Sequence, residues 1–283
     1  MFTLKATNKY NETIELTNNE AYVITNIEGL DPPDATINMT KNATADGSEF
    51  NSASVGNRQI IITLAINSPA EDNRINLYKY FKSKYPVTLH YVNEHRNVEI
   101  TGYCQSMPIN LFGKKQTEQI VIICPEPFFK GTRQTTTELS AINPLFEFPF
   151  SIEEGNPIPF SEITSGQEKI LRNIGDVETG IIFTLHARGI VSTPTIYNVN
   201  TNEYMTLNVE MKKGDEITVN TNRNQKSITM YSDGERNSII GKLASGSTWF
   251  SLNPDSNVFK LYAKANVVNL DVLCEIIPKY EGV

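Results

Sequence analysis

The sequence predicts a mainly β chain in two domains: a β-rich N-terminal domain with one helix, then a β-sandwich or jelly roll. Three observations carry this. Short runs rich in β-branched and aromatic residues, bounded by Asn, Gly, Pro or Asp, recur along most of the chain. A well-marked helix start occurs once, at Ser68-Pro69-Ala70-Glu71. Residues 134–159 break the pattern with four prolines, at 144, 149, 157 and 159, and no sustained period. At 283 residues the chain is longer than one typical domain and comfortable for two.

In the first domain, residues 1–133, strands are expected at Glu20–Asn26, Arg58–Ile66, Val87–Val92, Asn97–Tyr103 and Glu118–Cys124. Asn93-Glu94-His95-Arg96 reads as a hairpin turn that pairs the third of these with the fourth. For the helix, Ser68 takes the N-cap, Pro69 the first helical position and Glu71 the third, a reciprocal capping box. Ile75, Tyr78, Phe81 and Tyr85 then form one apolar stripe against the sheet, and Pro86 ends the run. Residues 134–159 read as a linker that docks. Phe146, Phe148 and Phe150 alternate within it, as an extended segment added to a sheet edge would.

From residue 160 to 283 short strands return: Glu168–Leu171, Gly180–Ala187, Thr195–Val199, Tyr204–Val209, Glu216–Asn220, Ser227–Tyr231, Thr248–Leu252, Val258–Ala263 and Asn266–Ile276. Their even spacing and the absence of a helical period indicate the sandwich.

Composition narrows the function. Hydrophobic residues make up 39% and charged residues 20%, enough apolar material for a core in each domain, which excludes a wholly disordered chain. The longest apolar runs, such as Ile120–Cys124, are far short of the roughly 20 residues of a membrane helix. No apolar core of a signal peptide is visible at the N-terminus, so a soluble protein made in the cytoplasm is expected. The net charge of −7 argues against a general nucleic-acid binder. Residues 1–133 carry 13 basic and 14 acidic side chains and residues 160–283 carry 12 and 14, so both are nearly neutral. Residues 134–159 hold four Glu and no Lys or Arg. Cys104, Cys124 and Cys274 are odd in number and far apart, and each sits in an apolar or alternating run as a small buried hydrophobe.

Little points to catalysis. His90 and His95 flank a Glu in HYVNEH, but across a hairpin turn and not one helical turn apart, and His186 sits alone in an alternating strand. There is no nucleophile elbow, phosphate-binding loop or dinucleotide fingerprint; Asp46-Gly47-Ser48 is a tight turn, and Glu153-Glu154 a solvated pair. No catalytic residue, metal ligand or cofactor is expected. The sole tryptophan, Trp249, has two readings. It, or its neighbour Phe250, plugs the sandwich core; alternatively its ring stacks on a sugar, which makes the domain a carbohydrate-binding module for host cell-wall glycans.

Several segments together resemble one family. They are Tyr22–Pro33, Asp46-Gly47-Ser48-Glu49-Phe50 and Arg58 leading into Gln59–Ile66; then Asn173-Ile174-Gly175-Asp176 with Thr179-Gly180, Gly214–Ile217, Trp249–Pro254 and Asn257. In order and spacing this is similar to the distal tail proteins of long-tailed bacteriophages and prophages of Gram-positive hosts, over nearly the whole chain. Pro254-Asp255-Ser256-Asn257 departs from the Pro-Gly often found there. The resemblance implies a non-enzymatic part of the tail tip or baseplate in the virion, assembled in the bacterial cytoplasm. Its N-terminal (belt) domains form a homohexameric ring, and its C-terminal domains are galectin-like sandwiches that project outward. The ring joins the tail tube protein to the tail-associated hub protein and often presents receptor-binding proteins. A fold of that name does not by itself bring sugar binding.

Overall fold

The computed structural model describes residues 2–44, 46–111, 113, 115–140, 142–144, 161–163 and 168–283. It divides into two units: Met1–Arg133 with Lys279–Val283, and Gln134–Pro278. The last five residues thus return to the first unit, where Lys279–Tyr280 pairs with Phe129–Gly131.

The first unit is built on one antiparallel sheet. Its main path runs Thr13–Glu15, Thr3–Asn8, Pro86–Val92, Asn97–Ser106, Thr117–Cys124, Arg58–Ile66 and Tyr22–Glu28. Alternation fixes which side chains go inward. Arg58, Ile60, Ile62 and Leu64 face Cys124, Ile122, Ile120 and Glu118 across the central pair, all buried. An apolar row therefore carries a buried charged residue at each end. The expected hairpin forms: Asn93 Oδ1 accepts from the amides of His95 (2.8 Å) and Arg96 (2.6 Å), closing the turn between Pro86–Val92 and Asn97–Ser106.

The helix is present, at Ala70–Tyr80, but two of its expected details are not. Pro69, not Ser68, occupies the cap, and no side chain bonds there; Glu71 instead meets Arg74 and Gln116. The buried face is Leu77 with Phe81, whereas Ile75 is 53% exposed. The stripe is broken at both ends: Ile75 faces outward within the helix, and the helix ends at Tyr80, before Tyr85. Phe81 is the C-cap, its amide bonded to the Leu77 carbonyl, and Tyr85 lies beyond in a turn where Lys84 has a φ of 71°.

The second unit stacks two antiparallel sheets over a common core, which is a sandwich. One sheet runs Thr135–Ser140, Leu270–Ile276, Ile181–Ala187, Glu216–Asn220, Ser227–Ser232 and Glu235–Ser238. The other runs Lys169–Asn173, Asp255–Ala265, Val191–Asn198 and Glu203–Thr206. Phe183, Phe250 and Phe259 meet edge to face in the core, with ring centroids 5.6–6.1 Å apart. Thr135–Ser140 adds to a sheet edge; Ile142–Pro144 pairs with Ser161–Ile163. Phe146, Phe148, Phe150, Glu153 and Glu154 lie outside the described residues.

Thr248–Leu252 is not a strand. Its alternation is real, with Phe250 and Leu252 inward. Its backbone, however, bonds to two separate partners, Thr248 to Tyr204 and Leu252 to Thr179, so no ladder forms.

Candidate assembly surface

The most exposed apolar surface in the first unit lies on a two-stranded ribbon, Ala35–Thr40 with Glu49–Val55, that pairs with no other strand. The sequence reading found only its turn, Asp46-Gly47-Ser48, where Gly47 has a φ of 91°. The signal for the strands was present: ATINMT alternates, and SASV alternates after the turn. They are short and only weakly apolar, and every residue of both is exposed.

The register sorts the ribbon into two faces. Ala35 opposes Val55, Ile37 opposes Ala53, and a bulge at Asn51 brings Phe50 opposite Met39. In a regular ladder, with Asn51 paired to Met39, Phe50 would face Thr40 and point to the other side. With the bulge, six apolar side chains share one face. The other face is polar and internally bonded: Asn38 Nδ2 donates to Ser52 Oγ (3.0 Å) and Asn51 Nδ2 to Thr40 Oγ1 (2.7 Å). Ile37, Met39 and Phe50 are 56%, 60% and 63% exposed. An isolated two-stranded hairpin is marginal in water, and side chains of this kind gain about 1.5–3 kcal/mol each when fully covered. Such a face is shaped to be covered.

The ribbon leaves the sheet at a rigid point. Arg58, 3% exposed, donates through Nη1 to the carbonyls of Gly29 (2.6 Å) and Asp31 (2.7 Å), through Nε to Pro127 and through Nη2 to Glu281. Its guanidinium lies 4.7 Å from the centre of the Phe129 ring. Burial pulls its pKa below the usual arginine value. Gly29 takes a φ of 85°, and a Cβ there would lie 2.0 Å from the Gln59 carbonyl oxygen. One cation thus ties together the loop entering the ribbon, the strand leaving it and the end of the chain.

In the second unit the residues singled out from sequence are turn clamps. Asn173 Nδ2 donates to Val177 and Leu252 while its Oδ1 accepts from Gly175. Asn257 holds Asn253 through both its oxygen and its nitrogen. Asp215 accepts from the Lys212 amide (2.7 Å) and from Ser232 Oγ (2.6 Å). Trp249 is half-buried against the core beside the fully buried Phe250, with Lys226 Nζ 5.5 Å from its ring centre. His90 lies 3.5 Å from Glu99, His95 is in the hairpin turn, and His186 is exposed on its strand.

Residues 174–272 match the family model described as siphovirus-type tail component, C-terminal domain. The matched residues all lie within the second unit. No curated protein matches the chain by sequence. Among solved structures, the crystal structure of SPP1 Dit (gp 19.1), described as a paradigm of the hub adsorption apparatus in phages that infect Gram-positive bacteria, is similar over 99% of both chains. The TM-score is 0.70 at 12% identity. A chain of the phage P2 baseplate in its activated conformation with Ca is similar over the full length of both, with a TM-score of 0.55 at 13% identity. The mainly β architecture, with one helix in the first unit and a sandwich in the second, is the fold class that the resemblance implied.

Proposed function

We propose that the chain is a structural, non-catalytic component of a phage tail tip or baseplate, and that six copies close into a ring through the first unit. In this reading residues 1–133, joined by 279–283, form the ring, and the second unit is the galectin-like sandwich that projects outward, with Thr135–Ser140 already one of its strands. The ring joins the tail tube protein to the hub and presents receptor-binding proteins, in a virion assembled in the host cytoplasm. The observation that carries the ring is the ribbon. Its apolar face is exposed among the described residues, and it is fixed at its root by Arg58. A projecting arm that docks on a different surface of the next copy is a head-to-tail contact, which closes when the rotation per copy allows. The likeness to a Dit protein and to a baseplate chain supports the wider setting.

The test is a ribbon variant. Ile37→Asn with Phe50→Asn removes apolar area from side chains already in water. It is expected to leave the melting curve unchanged within about 0.5 kcal/mol while abolishing self-association in sedimentation velocity. A variant that still assembles like the wild type would remove the ribbon from the ring contact.

A further inference from the structure

A second surface of the first unit has a different chemistry. Asn8 is buried and organises the turn that follows its strand: its Oδ1 accepts from the Tyr10 and Glu12 amides, at 2.9 and 3.0 Å. Its Nδ2 donates to Glu12 Oε2 (2.8 Å) and to the Lys79 carbonyl (3.2 Å), fastening the turn to the last turn of the helix. Tyr10 is thereby held beside Tyr85, with ring centroids 6.5 Å apart and the two rings 57% and 39% exposed. Lys9 Nζ lies 4.5 Å from the centre of the Tyr85 ring, and Lys82 Nζ lies 5.6 Å from that of Tyr10. Lys79 and Lys84 are also exposed here. None of these four lysines forms an ion pair among the described residues.

We propose that this surface, the turn Asn8–Glu12 with the segment Lys79–Tyr85, docks a carboxylate-rich segment of a partner protein. The two segments carry four exposed lysines and one carboxylate, Glu12, on a chain whose net charge is −7, so the surface is a local reversal of the field around it. Its complement is an anion, and the ring geometry selects which kind. The ammonium groups of Lys9 and Lys82 sit over the Tyr85 and Tyr10 rings, where the cation–π contact is favourable, so a nucleic-acid base stacking on that face of either ring would have to displace a cation. What the patch offers outward is charge and two phenol hydroxyl groups, which suit carboxylates. Charge pairs of this kind govern the rate and selectivity of encounter more than the final affinity. The inference does not depend on ring closure.

The probe is a fluorescein-labelled oligo-glutamate, compared with a single-stranded oligothymidylate of equal charge, by fluorescence anisotropy on the full chain at low salt. The oligo-glutamate is expected to bind more tightly than the oligothymidylate. Lys9→Glu with Lys82→Glu should weaken it by about tenfold or more. Lys264→Glu, an exposed lysine of the second unit, should leave it unchanged. All these lysines are exposed, so matching melting curves are expected to show that each variant folds. The proposal is overturned by tighter binding of the oligothymidylate or by no binding of either probe. It is equally overturned by an undiminished affinity in the double variant, or by the same loss in Lys264→Glu.

Discussion

Replacing Glu118 with glutamine is expected to stabilise the first unit by about 3 kcal/mol at pH 8 and to change it little at pH 4. Glu118 lies wholly buried at the Leu64 end of the central strand pair, and neither carboxylate oxygen has a hydrogen-bond partner among the described residues. Burial pushes its pKa up from 4.5 to about 7, with the Arg74 cation and the Tyr78 hydroxyl pulling it back only in part. The raised value means that the folded state holds the proton more tightly than the unfolded chain does. Stability from this group is complete below the unfolded value of 4.5 and is lost as pH rises through about 7. Glutamine has nearly the same shape and cannot ionise, so the loss disappears. Urea unfolding of both proteins at pH 4, 6 and 8 reads the difference directly. Parallel pH profiles for the two would mean that Glu118 does not titrate in this window.

Arg58→Met is expected to cost about 4 kcal/mol, and the cost should hold at both pH 5 and pH 8. The methionine keeps the apolar stem over Phe129 but leaves the carbonyls of Gly29, Asp31, Pro127 and Glu281 without their donor. Arg58→Lys should recover only part of this, because an ammonium group cannot reproduce the planar fork that serves four acceptors. The loop at Gly29–Asp31 and the chain end should also become the first sites of limited proteolysis. A loss under about 1 kcal/mol, with an unchanged cleavage pattern, would show that the clamp adds little.

The strands with strong alternation were legible before any coordinates. Arg58–Ile66 and Glu216–Asn220 have the bounds read from sequence, because one face of each is buried along its whole length. The helix start was legible too, but its face was not. Spacing favoured Ile75, Tyr78, Phe81 and Tyr85; of these Phe81, the C-cap residue, is buried, and it shares the seam with Leu77, which the spacing did not mark. Thr248–Leu252 read as a strand since inward and outward positions alternate in any extended segment, whether or not a ladder forms. The ribbon escaped notice for the opposite reason. All its residues are exposed, so the usual contrast between a core face and a wet face is muted to Ala, Ile, Met and Phe against Thr, Asn and Ser. Arg58 was marked only as part of a family pattern. A lone arginine at the start of an apolar strand gives no hint of the four carbonyls that converge on it from distant parts of the sequence.

The ring is tested most directly by the solution mass of the full chain, measured by light scattering over a concentration series together with negative-stain images. Six copies of 31.7 kDa give about 190 kDa, and closed particles with sixfold symmetry are expected at the upper concentrations. A mass that stops at two copies, or open filaments that lengthen with concentration, would contradict a closed ring of six.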